Sequence, residues 1–264
     1  MYRTKQVLNF VFKYGILAWM AATLVWYLIV STLHRGISCD EGYYLMGFLR
    51  EQKIEGQATD FHFITRALCR PFPDDDIMVF RYTRLILNVI ALFAFTLSSY
   101  EWLSRKKGLS VSRWAYYPMA ALAGAMSFTF ATPTISYDSL EVIITMFAIS
   151  LLFVQFVSER KWPRHLAAFG VGFFLWFAFT NYPPAGACLT ILLVVLCWLE
   201  SDKGKWQGVL FALLGWALAL VVNHLFVHDL RQWFSEMTRI MVVTFTETSQ
   251  SGHDSGSFSD SVMF

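Results

Sequence analysis

The stretch Tyr14–Leu33, YGILAWMAATLVWYLIVSTL, contains no charged side chain. About 20 mostly apolar residues are what an α-helix needs to cross roughly 30 Å of hydrocarbon, so the stretch reads as a transmembrane span. Backbone N–H and C=O groups in lipid must be satisfied within their own segment, which selects helix over strand. Working outward, six further runs of this kind follow at about 85–103, 114–132, 139–157, 166–180, 185–199 and 207–227, the fifth and sixth of the seven being short. The composition agrees, with 56% hydrophobic, 17% aromatic and 15% charged residues among 264 and a mean hydropathy of +0.47. A soluble domain is excluded on that ground. We expect an all-α, polytopic helical membrane protein in which residues 1–264 form a single membrane domain of about seven transmembrane helices.

The distribution of charge gives an orientation. Arg3, Lys5 and Lys13 precede the first span; Arg105, Lys106, Lys107 and Arg113 join the second and third; Arg160, Lys161 and Arg164 join the fourth and fifth; Lys203 and Lys205 join the sixth and seventh. The alternate short connections, Pro133–Asp138 and Asn181–Pro184, contain no Lys or Arg. By the positive-inside rule the N-terminus is cytoplasmic and the bare connections face outward. The net charge of +2 gives no sign of a nucleic-acid partner, and none is expected. The first apolar run is too long for a signal peptide and no small-x-small cleavage site follows it, so it is expected to stay as an anchor.

On the outer side, residues 34–84 form a loop with its own structure. Ser38-Cys39-Asp40-Glu41 has the form of a capping box, opening an interfacial helix from Glu41 to about Lys53 that carries Tyr43 and Tyr44. Phe61–Cys69 is a second short amphipathic helix, ended by Pro71 and Pro73. Cys39 and Cys69 share this loop, where an oxidising compartment permits a disulfide. The Ser/Gly/Asp-rich residues 249–264 read as a disordered tail.

Polar residues gather at the outer ends of the spans: Asp40 and Glu41, Asp138, Asn181 and Tyr182, His224 and His228. Two readings compete for each. Asp40 and Glu41 cap a helix, or they divide with Asp138 the work of general base and of metal or acceptor ligand. Asp138 by itself also suits an N-cap for the fourth span. His224 and His228, spaced i, i+4, share one face of an α-helix and with a carboxylate could hold a divalent metal, or they simply close the span as interfacial polar residues. Arg66, Arg70, Arg81 and Arg84 match either a phosphate presented at the membrane surface or lipid headgroups, because guanidinium forks fit phosphate oxygens.

A span, an outward Asp-Glu followed by tyrosines, and an acid opening the fourth span together resemble the GT-C glycosyltransferases, which include the protein O-mannosyltransferases and the aminoarabinose transferases of lipid A. Cys39-Asp40-Glu41-Gly42-Tyr43-Tyr44 is similar to their first-loop Asp-Glu-x-x-Tyr pattern, and Tyr137-Asp138-Ser139-Leu140 to their Asp-x-x-Leu. Asn181-Tyr182-Pro183 stands where many members have Lys-Tyr-Pro or Lys-Gly-Pro, so this chain lacks a positive charge there. The resemblance reaches the first seven spans of proteins that usually carry more.

The resemblance implies transfer of a sugar from a polyprenyl-phosphate-linked donor to a lipid, glycan or protein acceptor on the outer face of a membrane, the bacterial inner membrane being the expected one. It gives Asp40 the catalytic acid's place, with Glu41 and Asp138 beside it, and Tyr43, Tyr44, Arg66, Arg70, Arg81, Arg84, Asn181 and Tyr182 as substrate-binding residues. A divalent metal ion, with His224 and His228 as ligands, is the one cofactor considered. The alternative is a non-enzymatic transporter or assembly subunit, or a truncated, inactive relative. Intramembrane charge deep in the spans would mark a transporter, and the first, third, fifth and sixth spans lack ionisable residues in their cores.

Overall fold

The computed structural model describes residues 61–69, 77–108, 110–126, 136–200 and 205–227, with short pieces within 15–30 and 229–242. The elements in these stretches are all helical: α1 Phe61–Cys69, α2 Ile77–Lys106, α3 Arg113–Met126, α4 Tyr137–Val157, α5 Lys161–Asn181, α6 Pro183–Glu200 and α7 Lys205–Val222. A π-helical turn, Asn223–Val227, continues α7. Apart from the short pieces within 15–30, the span at 14–33 lies outside the described residues, as do the interfacial helix at 41–53, the tail at 249–264, and Asp40, Glu41, Tyr43, Tyr44, Arg70 and His228.

Among the described residues, three helical stretches are long and apolar enough to cross a membrane: Ile77–Lys106, Tyr137–Val157 and Gln207–Phe226. A shorter apolar one runs from Pro183 to Leu196. That set is compatible with an integral membrane protein. It is smaller than the six spans expected in this region, and α5 shows why. Its sequence begins with Lys161, Arg164 and His165 and ends in Thr180-Asn181, which dilutes its hydropathy. Instead of facing outward on all sides, α5 packs against α4, α6 and α7.

Helix α2 has its polarity reversed relative to a helix of a soluble protein. Arg81, Arg84 and Asn88, spaced by three and four, are buried together with Thr83, Thr96 and Ser99. Tyr82, Ile86, Val89 and Phe93, on another stripe, are exposed. Water outside would penalise this arrangement, whereas lipid outside favours it, since polar groups in a bilayer turn toward other helices. The helix starts two turns before the expected Leu85, and those turns carry the buried arginines.

The remaining helices meet through small residues. A Cβ on Gly172 of α5 would overlap the Ala212 carbonyl of α7, and one on Gly215 of α7 would overlap the Phe169 carbonyl of α5. Lipid tails are as apolar as leucine, so helices there gain from close backbone approach, which only glycine allows at this crossing. Ala168 and Ala219 are also buried on these two helices. The outer face of α7 is apolar, with Val209, Leu210, Leu213 and Leu218 exposed.

Helix α1 forms over the residues expected of it and docks on α2, α5 and the π turn. Its Ile64 and Cys69 enter a core with Phe80, Leu140, Ile144, Trp176 and Trp233. Trp176 meets Trp216 of α7 edge-on at 5.0 Å between centroids and Trp233 at 5.8 Å, which ties the 229–235 segment to the bundle.

Candidate functional site

The site is the end of the bundle where α4 starts and α5 finishes. Helix α4 begins with a reciprocal capping box. Ser139 N–H donates to Ser136 Oγ at 3.2 Å, and Ser136 N–H donates to Ser139 Oγ at 2.8 Å. Both serines are buried. This corrects the expectation that Asp138 caps the helix: the cap is Ser136, and Asp138 is an exposed first-turn acid. At that position its charge sits favourably against the helix dipole while its oxygens stay available.

Asn181 closes α5 from the other side. Its Nδ2 donates to the Tyr137 carbonyl at 2.9 Å and to Glu141 Oε2 at 3.0 Å, so both amide hydrogens hold α4. Asn181 is 0% and Glu141 8% exposed. Tyr182 follows in an extended conformation, as a residue before proline must, and its ring lies 5.4 Å from that of Tyr137. Pro183 then opens α6, and Gly186 lets that helix pass close to the backbone of Ala178 and Phe179. Asp138, Asn181 and Tyr182, expected at one face, are therefore brought to one corner. Glu141, one turn deeper in α4 than Asp138, is the residue that Asn181 grips.

The basic residues are placed differently from expectation. Arg81 and Arg84 are 4% and 3% exposed, inside the bundle on the first turns of α2, and Arg66 is half-buried on α1. A surface phosphate or lipid headgroup is thus not what Arg81 and Arg84 meet in this conformation. His228, the expected partner, lies outside the described residues, and His224 lies in the π turn. Its Nδ1 accepts a long hydrogen bond from Leu230 N–H at 3.5 Å and lies 3.6 Å from Asp229 Oδ1. Among the described residues no group of three or more His, Cys, Asp and Glu side chains is arranged to hold a metal.

Cys69 is a free, buried thiol, and Cys39, the disulfide partner considered for it, lies outside the described residues. Cys69 Sγ donates to Thr83 Oγ1 at 3.7 Å, and burial pushes its pKa up. Compared with known proteins, the chain matches no protein-family model, no curated protein and no solved structure.

Proposed function

We propose that the chain is an integral membrane glycosyltransferase of GT-C type with seven spans, its N-terminus cytoplasmic and its active face outside. One observation carries the reading: Asp138 is exposed on a helix start whose capping is done by Ser136 and whose position is fixed by Asn181. A carboxylate relieved of structural work and mounted on a rigid corner is what acceptor or metal positioning needs.

In this reaction Asp40 takes the proton of an acceptor hydroxyl, as general base. The acceptor oxygen forms its bond to the anomeric carbon while the bond from that carbon to the lipid phosphate oxygen breaks. The electron pair leaves with the polyprenyl phosphate, and positive charge from Arg66, Arg70, Arg81 and Arg84 stabilises it. Because Arg81 and Arg84 are buried, the phosphate must enter the bundle to reach them. Asp138 orients the acceptor or a divalent metal, Glu41 supports Asp40, and Tyr43, Tyr44 and Tyr182 line the sugar. The donor is a polyprenyl-phosphate-linked sugar, and the acceptor a lipid, glycan or protein.

A second reading, a transporter or assembly subunit without chemistry, draws on Glu141, Arg81 and Arg84 being buried within helices apolar enough to span. Sugar transfer from a radiolabelled polyprenyl-phosphate donor pool, in membranes carrying this chain, separates the two. The enzyme reading expects transfer that Asp40→Asn abolishes while the protein remains folded. Transfer unaffected by that substitution, or no transfer from the unaltered chain with any donor, overturns it.

A further inference from the structure

The three helices that start at the basic end of the bundle open in the same way. Helix α3 begins Arg113-Trp114, α5 begins Lys161-Trp162 and α7 begins Lys205-Trp206, and none of them has an acid in its first turn. The helices that start at the other end do not: α4 begins Tyr137-Asp138 and α6 begins Pro183-Pro184. Two ring contacts hold the basic turns together. Trp102, in the last turns of α2, stacks on Phe153 of α4 at 4.7 Å between centroids, and His165 of α5 stacks on Phe211 of α7 at 4.4 Å.

The cations at this end outnumber the acids. Residues 101–113 carry four Lys or Arg against Glu101, and residues 158–164 carry three against Glu159. Glu101 is already engaged by Arg105 and Arg113. Lys106, Arg160 and Lys161 are exposed and make no ion pair among the described residues. Beside these charges stand open indoles: Trp114 is 63% and Trp162 73% exposed, and Trp198, in the last turn of α6, 74%. Along the helix from Trp198, α6 exposes Ile191, Val194 and Val195, so that ring stands where an apolar face ends. Indoles concentrate at this boundary between headgroups and acyl chains.

We propose that the basic end is a binding surface for anionic phospholipid headgroups. The tryptophans fix its depth, and the cation next to each ring is thereby carried to the level of the lipid phosphates. Arginine forks and lysine ammoniums are both suited to phosphate oxygens. Anionic lipid is favoured over zwitterionic lipid because the excess positive charge has no partner in the chain, and a zwitterionic headgroup brings a cation of its own. An acidic soluble protein fits less well, since the rings flanking the charges lead into helix faces that are apolar along their length. The opposite end is unlike it, with Asp138 and Asp229 exposed and Arg81 and Arg84 buried. The inference rests on the chain lying in a membrane and is independent of glycosyl transfer.

The test uses the full chain reconstituted in phosphatidylcholine bilayers with a trace of spin-labelled phosphatidylglycerol or spin-labelled phosphatidylcholine, comparing the fraction of each label immobilised at the protein. The unaltered chain is expected to prefer phosphatidylglycerol about threefold, because each basic residue near the surface adds to the attraction. In about 1 M sodium chloride, where the Debye length falls to about 3 Å, the preference should shrink toward none. Combined Lys106→Gln, Arg160→Gln and Lys161→Gln, all at exposed positions, should remove most of it at low salt. Arg66→Gln, on α1 at the other end, should keep it. Equal immobilisation of the two labels by the unaltered chain overturns the surface, and so does a preference that survives the triple substitution or is lost with Arg66→Gln.

Discussion

At the end where α2 finishes and α3 begins, Glu101 accepts from Arg105 at 2.8 Å and from Arg113 at 3.3 Å, with both arginines exposed and Glu101 half-buried. At the opposite end, where α4 begins and α5 finishes, Glu141 is buried against Asn181 and the serines of the cap are buried with it. The first pair exchanges hydration for contact in a high dielectric and gains little. The second has no water to return to, so each hydrogen bond it keeps or lacks changes the energy of the fold. The contrast also separates roles. Exposed charge at the basic end suits orientation of the chain, while the buried polar corner is where a specific arrangement has been built.

The sharpest way to break this comparison is Asn181→Leu. It removes both hydrogen bonds to α4 and leaves the buried Glu141 carboxyl without its donor, so unfolding in detergent should show a loss of about 3 kcal/mol. Asp138→Asn should cut sugar transfer about 100-fold while changing stability by less than about 0.5 kcal/mol, since Ser136 keeps the cap. A stability loss as large as that of Asn181→Leu would return Asp138 to a structural role. Ser136→Ala should cost about 1 kcal/mol by removing the side-chain acceptor for Ser139 N–H, measured in the same unfolding assay. At the basic end Glu101→Gln should cost under about 1 kcal/mol, and the difference should shrink as salt is raised. A larger, salt-independent loss there would erase the distinction between the two ends.

Cys69 offers a further measurement outside the spans. The thiolate is the reactive form, and burial pushes the thiol's pKa up, so alkylation at pH 8 should be slow in the folded chain and fast once it unfolds.

The helices were legible because lipid makes hydropathy a local signal. The runs at 139–157 and 207–227 correspond to α4 and to α7 with its π turn, each within about two residues at either end. Helix α1 appears over the residues whose apolar spacing and following prolines marked it. The site was less legible. Asp138, Asn181 and Tyr182 could be placed at one face by counting spans, but Ser136-x-x-Ser139 reads weakly as a capping box because its fourth position is not Glu or Gln.

What the sequence determined by itself is the class of the protein, the helical segments and the uneven spread of basic residues, because each of these depends on residues within a few turns of one another. Tertiary structure alone decided which faces meet. It turned Arg81, Arg84 and Asn88 of α2 inward, brought Gly172 against Ala212 and Gly215 against Phe169, and joined Asn181 to Glu141 across 40 residues of chain. The reason is physical: hydropathy is an average along the chain, whereas the partner of a buried polar group is fixed by steric fit between helices, which no local average contains.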